Sequence, residues 1–382
     1  MKQVEKLDYL DGVKVLAAIM IYNFHFINFF YPGEYSLLPE QFHTQSLEYI
    51  FGSTPLNIIA GGKFAVRMFM TLSGFFVGYR FFITGDKKSL QTGVIKKYFR
   101  LFLPILVTNL LIVFLMWIGA YGNAEASVLA GSEVFVGNYN TFSPNLFAAI
   151  KEALWGCFVT GENNYNGPLW FIYYEFFGTL LMAAILMLVG ESKARYIVYA
   201  VASVICIRND FLPFILGTVV CDLTYQPPLF IERLSKKKIV MIPALIFGLF
   251  LGSFPPIGER MEGTIYQYFP LKIIVFYILG AAITLYAILH LKGVQKVLSW
   301  KGFVWFNKSS YNFYLLHFMV LCTFSCQFYL ALKDKMNYHV LAMINIILSF
   351  IVTAGLSYVM HRWVEVPGIR LSQKVGAFFE RK

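Results

Sequence analysis

Apolar runs of about 20 residues recur from one end of the chain to the other, separated by short stretches in which Lys, Arg, Gly, Pro and Asn gather. A helix rising 1.5 Å per residue needs roughly that many residues to cross the hydrocarbon of a bilayer. The runs fall at 10–31, 64–84, 99–121, 168–190, 196–207, 211–223, 239–254, 268–290, 310–331 and 339–360. They predict an all-α fold: a polytopic integral membrane helical bundle of about ten transmembrane helices, forming a single domain over 1–382. Fusing the short runs at 196–207 and 211–223 would give nine spans, but Arg208-Asn209-Asp210 would then sit at mid-membrane, where adjacent polar groups are costly. Two short helices meeting at a polar turn are the expectation.

The distribution of positive charge then predicts orientation. With both termini cytoplasmic, the inner segments hold 24 of the 32 Lys and Arg, including Lys87, Lys88, Lys96, Lys97 and Lys236-Lys237-Lys238. That asymmetry follows the positive-inside rule, and a nine-span arrangement breaks it. The two longest polar stretches, 32–63 and 122–167, fall outside and are expected to have structure or function beyond connection. Lys2 and Lys6 precede the first run as in a signal sequence, but no small-residue cleavage site follows, so the run is expected to stay as a first span.

Composition agrees with lipid as the main solvent. Hydrophobic residues make up 58% of the chain and charged residues 14%, too few for the charged coat of a soluble protein of this length. The 39 Phe and 24 Tyr suit lipid contact and interfacial anchoring. A net charge of +11 raises the question of nucleic acid, but the basic residues cluster between apolar runs rather than along one face, which marks topology. Cys157, Cys206, Cys221, Cys322 and Cys326 lie mostly within apolar runs without paired metal spacing, so reduced thiols are expected.

Ionisable side chains inside such runs are expensive, and four stand out: Lys14, His25, Glu175 and His317. Lys14 lies about one turn into the first span, where a snorkelling anchor is the simplest role. His25, eleven residues later, sits about 16 Å deeper, toward the outer half. Glu175 enters from the other side in Trp170-Phe171-Ile172-Tyr173-Tyr174-Glu175, at a depth expected to match His25. A carboxylate beside an imidazole raises its basicity, as a general base for a hydroxyl requires; a purely structural tie between helices uses the same pair. His317 stands two turns into the ninth span, either facing a cofactor from the cytoplasm or serving as an interhelical donor. Lys97 and Arg100 share one helical face at the start of the third span, which suits a phosphate-rich ligand and equally the positive-inside signal.

Taken together these residues resemble the membrane-bound acyltransferase 3 superfamily, which acylates sugars of surface polysaccharides and related acceptors. The first-span signature of a basic residue, ten intervening residues and His is matched by Lys14 and His25. Ser73-Gly74-Phe75, Lys97 and Arg100 followed by Pro104, Trp170 through Glu175, Ser310-Tyr311 with His317, and Glu365-Val366-Pro367 are similar to further family patterns in the same order. The family's third-span motif carries Arg at both ends, whereas Lys97 offers a point charge without the planar fork.

The resemblance implies a membrane O-acetyltransferase with no permanently bound cofactor, using acetyl-CoA or another acyl-CoA as co-substrate. Lys14, Lys97, Arg100 and His317 are the residues expected to bind it, and His25 and Glu175 the catalytic ones. His25 acts either as general base or as transient acyl carrier. The expected partners are the acyl-CoA donor, a glycan or lipid-linked saccharide acceptor and membrane lipids, not nucleic acid, and the expected location is the cell membrane, as in a bacterial inner or plasma membrane. The alternative class is a transporter or lipid-linked glycan flippase with an intramembrane proton relay; no matching halves of the kind many transporters carry occur in the chain.

Overall fold

The structure, a computed structural model, describes residues 5–44, 46–255, 262–269 and 273–380; Lys2 and positions 270–272 of the run expected at 268–290 lie outside them. Every element among the described residues is helical. Ten helices carry the bundle: α1 Asp8–Phe30, α2 Gly62–Thr84, α3 Lys88–Trp117, α4 Trp170–Val189, α5 Arg195–Ile205, α6 Leu212–Tyr225, α7 Lys238–Gly252, α8 Ile273–His290, α9 Lys301–Leu332 and α10 Tyr338–Phe379.

Each expected run coincides with one of these helices, which differ in length and in how sharply they bend. Six (α1, α2, α3, the α4 span, α9 and α10) are long and apolar enough to cross a membrane alone. Two more arise if each sharply bent pair counts as one span: α6 with Leu229–Ser235, bent by 90°, and α8 with Lys292–Leu298, bent by 100°. The runs at 196–207 and 239–254 are the shorter apolar helices α5 and α7. At 1.5 Å per residue, an eleven-residue helix such as α5 falls well short of the hydrocarbon thickness. By length and composition the described residues of this multi-pass membrane protein hold six to eight candidate spans.

Local chemistry sets where the helices begin and turn. Asn337 caps α10 by accepting from the backbone N–H groups of His339 and Val340, Pro213 opens α6, and Gly85 ends α2 in the left-handed conformation at φ 69°. Inside α3, Pro104 interrupts the backbone ladder, and the Thr108 hydroxyl donates to its carbonyl at 2.8 Å. Single π-helical turns at Leu321–Ser325 and His361–Glu365 widen α9 and α10. Such turns re-aim side chains, and the second presents His361 and Glu365 to the large cavity described below.

The α2–α6 crossing is the closest in the bundle's centre. Gly74 of α2 lies against the backbone of Phe214, and Gly217 of α6 against the carbonyl of Thr71, so that a Cβ at either position collides with main chain. Thr218 donates to the Gly74 carbonyl at 2.8 Å across the same contact. Small residues that let helices approach to backbone distance are the usual basis of packing where lipid is the solvent. Next to this contact, Arg195 of α5 is buried and clamps Asp222 of α6 with Nε–Oδ2 at 2.6 Å and Nη2–Oδ1 at 3.1 Å.

At the end opposite the basic loops, short helices Pro32–Ser36 and Ser46–Ser53 close over α1. Glu48 accepts from the backbone N–H groups of His43 and Thr44 at 2.7 and 2.6 Å. Glu34 is buried, and burial, with Glu48 a smaller cause, pushes its carboxyl up to about 8, so it is neutral near pH 7.

Because the Gly217 Cα faces main chain that cannot swing aside, Gly217→Ala is expected to cost about 1–3 kcal/mol through overpacking. A fall in the thermal midpoint of the detergent-purified protein checks this, and an unchanged midpoint contradicts the close approach.

Candidate functional site

Two cavities open along the bundle, and α1, α2 and α4 pass both. The larger, about 810 Å³, lies at the end carrying the basic loops. Among the residues that line it, Lys14, Arg80, Lys96, Lys97, Arg100 and Lys308 are cationic, against the two carboxylates Glu175 and Glu365. The smaller, about 450 Å³, is lined by Ile21, Phe24 and His25 of α1, by Gly62, Lys63, Val66 and Arg67 of α2, and by Trp170, Ile274 and Tyr277. Val66 belongs to both linings, so the cavities share a wall one side chain thick at that point.

In the basic cavity, Lys14 lies 3.4 Å from Asp11 and its ammonium sits 4.7 Å from the centre of the Phe76 ring. Arg100 is half-exposed, 3.7 Å from Glu365. Glu365 is occupied otherwise: it accepts from Asn312 at 2.7 Å and from His361 Nδ1 at 2.8 Å. Lys97 is committed as well, with its ammonium 2.5 Å from Glu175 and 2.5 Å from the Thr179 hydroxyl. Ser73 donates to the same Glu175 oxygen at 2.6 Å. The Ser73-Gly74-Phe75 pattern therefore has a structural content residue by residue: Ser73 anchors Glu175, Gly74 admits α6, and Phe75 is fully buried in the core.

The expected pairing of Glu175 with His25 does not occur. A carboxylate in a medium of low dielectric gains far more from an ammonium than from a neutral imidazole, and the long Lys97 side chain reaches it from α3. Glu175 also lies five residues beyond Trp170, about 7.5 Å along α4, which carries it out of the His25 cavity and into the basic one.

His25 instead meets His317. Their ring centroids are 5.0 Å apart at an interplanar angle of 45°, and Phe24, Phe135 and Phe318 enclose the His25 ring. Of the two roles expected for His317, facing a cofactor or serving as a buried donor, its surroundings match the second: it is buried and is not among the residues lining either cavity. Its Nδ1 donates to the Tyr314 carbonyl at 2.6 Å, and since a carbonyl only accepts, Nε2 is the lone-pair nitrogen of the neutral ring. That Nε2 and His25 Nδ1 are both buried and have no hydrogen-bond partner among the described residues. The two neutral rings thus meet within the core, each with one ring nitrogen left without a partner among the described residues.

A residue of the smaller cavity, Arg67, and its partner Asp210 escaped the sequence. Arg67 and Asp210 are both buried and form a two-pronged pair, Nε–Oδ1 3.0 Å and Nη2–Oδ2 2.9 Å. The Arg67 guanidinium lies 5.5 Å from the centre of the Trp170 ring. The signals were present, an Arg inside the apolar run at 64–84 and an Asp in the polar turn at 208–210, but nothing local links positions 143 apart in sequence. No group of three or more potential metal-ligating side chains occurs among the described residues.

The sequence profile of a family described as "Acyltransferase domain" matches residues 7–362. No curated protein and no solved structure matches the chain.

The Lys97–Glu175 pair is the part of the basic cavity most sensitive to losing one member, since the survivor is left charged in an apolar bundle. A double-mutant cycle on thermal unfolding is expected to show Lys97→Met and Glu175→Gln each destabilising, with a coupling of about 1–3 kcal/mol that the double variant recovers. Strict additivity would show that the two side chains do not depend on each other.

Proposed function

The chain belongs to the acyltransferase 3 family, whose domain accounts for residues 7–362, and from that premise we propose that it moves an acetyl group from acetyl-CoA to a hydroxyl of a surface or lipid-linked glycan in the cell membrane. The observation that carries this is the meeting of two cavities at Val66, one strongly basic and one lined by the His25 imidazole. A nucleotide thioester needs cations for its phosphates and an apolar passage for its acyl end. Lys14 and Arg100 supply the first, and Val66, Phe69 and Phe171 line the second. The basic end faces the cytoplasm, where acetyl-CoA is made, in keeping with its share of 24 of the 32 Lys and Arg. The acceptor enters the smaller cavity from the other side.

His25 acts as general base in this mechanism. It accepts the acceptor's hydroxyl proton as the oxygen bonds to the thioester carbonyl carbon. The carbon–sulfur bond then breaks, the acetyl group stays on the acceptor as an ester, and the departing thiolate takes the proton from the imidazolium. A free sugar hydroxyl is too weak an acid to attack unaided, so a base in place is the minimum requirement. His317, its own tautomer set by the Tyr314 carbonyl, packs against the His25 ring and holds its place. Glu175 has a different part here from the one its sequence position suggests: it holds Lys97 and Ser73 at the throat of the donor cavity.

With labelled acetyl-CoA and the full chain in lipid nanodiscs, His25→Ala is expected to lower transfer at least about a hundredfold while acetyl-CoA binding persists. Undiminished transfer by a folded variant would remove the base assignment, and a wild-type protein that leaves acetyl-CoA intact would point to the transporter class.

A further inference from the structure

We propose that the cavity beside His25 is an acceptor subsite for a pyranose bearing an anionic group, with Trp170 as the platform for the ring and Lys63 as the counter-ion for the anion; this rests on the transferase function proposed above. A volume of about 450 Å³ is within the range of small-ligand sites. Trp170 is half-buried at its edge, and its indole is held in place: Arg67 lies over it at 5.5 Å and is itself forked onto buried Asp210. A fixed indole presents a large apolar surface with a negative face, the kind of surface on which the C–H groups of a sugar ring rest.

The charge balance of the cavity separates its two cations. Arg67 is neutralised by Asp210. Lys63 has no carboxylate partner among the described residues; its ammonium donates to the Tyr35 hydroxyl at 3.3 Å and lies 5.4 Å from the centre of that ring. Glu34 shares a small adjoining cavity with Lys63 but makes no ion pair with it, and burial keeps its carboxyl neutral near pH 7. Among the described residues no carboxylate lines the His25 cavity. Among the described residues one positive charge therefore faces a half-enclosed site beside the proposed base without a counter-charge, and a ligand that brings one is favoured over a neutral ligand. The anion is a sugar carboxylate or a phosphate substituent; both present oxygens to an ammonium in the same way.

The experiment uses the full chain in lipid nanodiscs, labelled acetyl-CoA, and the envelope glycan fraction of the producing cells as acceptor, untreated, carboxyl-reduced or dephosphorylated. Lys63→Gln is expected to raise the acceptor KM about tenfold or more and leave the acetyl-CoA KM within about twofold, and Lys63→Arg to restore most of the acceptor affinity. For the wild type, one of the two treatments is expected to weaken the acceptor to the same degree, with no further loss in Lys63→Gln; which treatment does so names the anion. Trp170→Ala is expected to raise the acceptor KM and Trp170→Phe to keep it low. An unchanged acceptor KM in Lys63→Gln, or equal use of all three glycan preparations, overturns the subsite while leaving the transferase function standing. A wild type that consumes no acetyl-CoA overturns both.

Discussion

Charge inside an apolar helical bundle must be paired or must face a cavity, and that constraint sorts nearly every ionisable group in this protein. Arg195–Asp222, Arg67–Asp210 and Lys97–Glu175 are paired and tie helices together at two levels of the bundle and at its centre. Lys14, Arg100 and Lys63 lie on cavity walls. His25 also lies on a cavity wall and His317 beside it in the core, and each keeps a buried nitrogen without a partner among the described residues. What looks in sequence like one set of costly residues is thus two sets, one paired between segments of the bundle and one on cavity walls.

The pairing also explains how a single helix serves two chemistries. Along α1, Lys14 and His25 are about 16 Å apart, and they lie in different cavities. Along α4, Trp170 lines one cavity and Glu175 the other. The wall between the cavities is apolar and thin at Val66, which suits passage of an acyl group but not of a nucleotide. On the proposed function, the phosphates stop where the cations are, and only the thioester end reaches the imidazole.

The class of fold was legible because hydrophobic run length reports directly on what a bilayer requires, and each run became a helix. The number of crossings was less so, since α5 and α7 are apolar enough for membrane yet too short to cross alone, and the bends after α6 and α8 have no signature in hydropathy. In the site, Lys14 and His25 were legible from spacing on one helix. Partners were not. Glu175 was expected beside His25 on depth alone, and the structure gives it to Lys97, because charge complementarity between helices distant in sequence outweighs similarity of depth. His317, expected either to face a cofactor or to serve as a buried donor, stands 5.0 Å from His25, centroid to centroid. Arg67 went unnoticed because its partner, Asp210, lies in a turn between two other helices.

The central claim is that a thioester bound at the basic end reaches His25 past Val66. The most direct test is an experimental structure of the full chain with acetyl-CoA bound. It should show the phosphates among Lys14 and Arg100, with the acetyl carbonyl at the Val66 wall within reach of the His25 ring. Acetyl-CoA bound with its acetyl group directed away from Val66, or bound outside the basic cavity altogether, would contradict it.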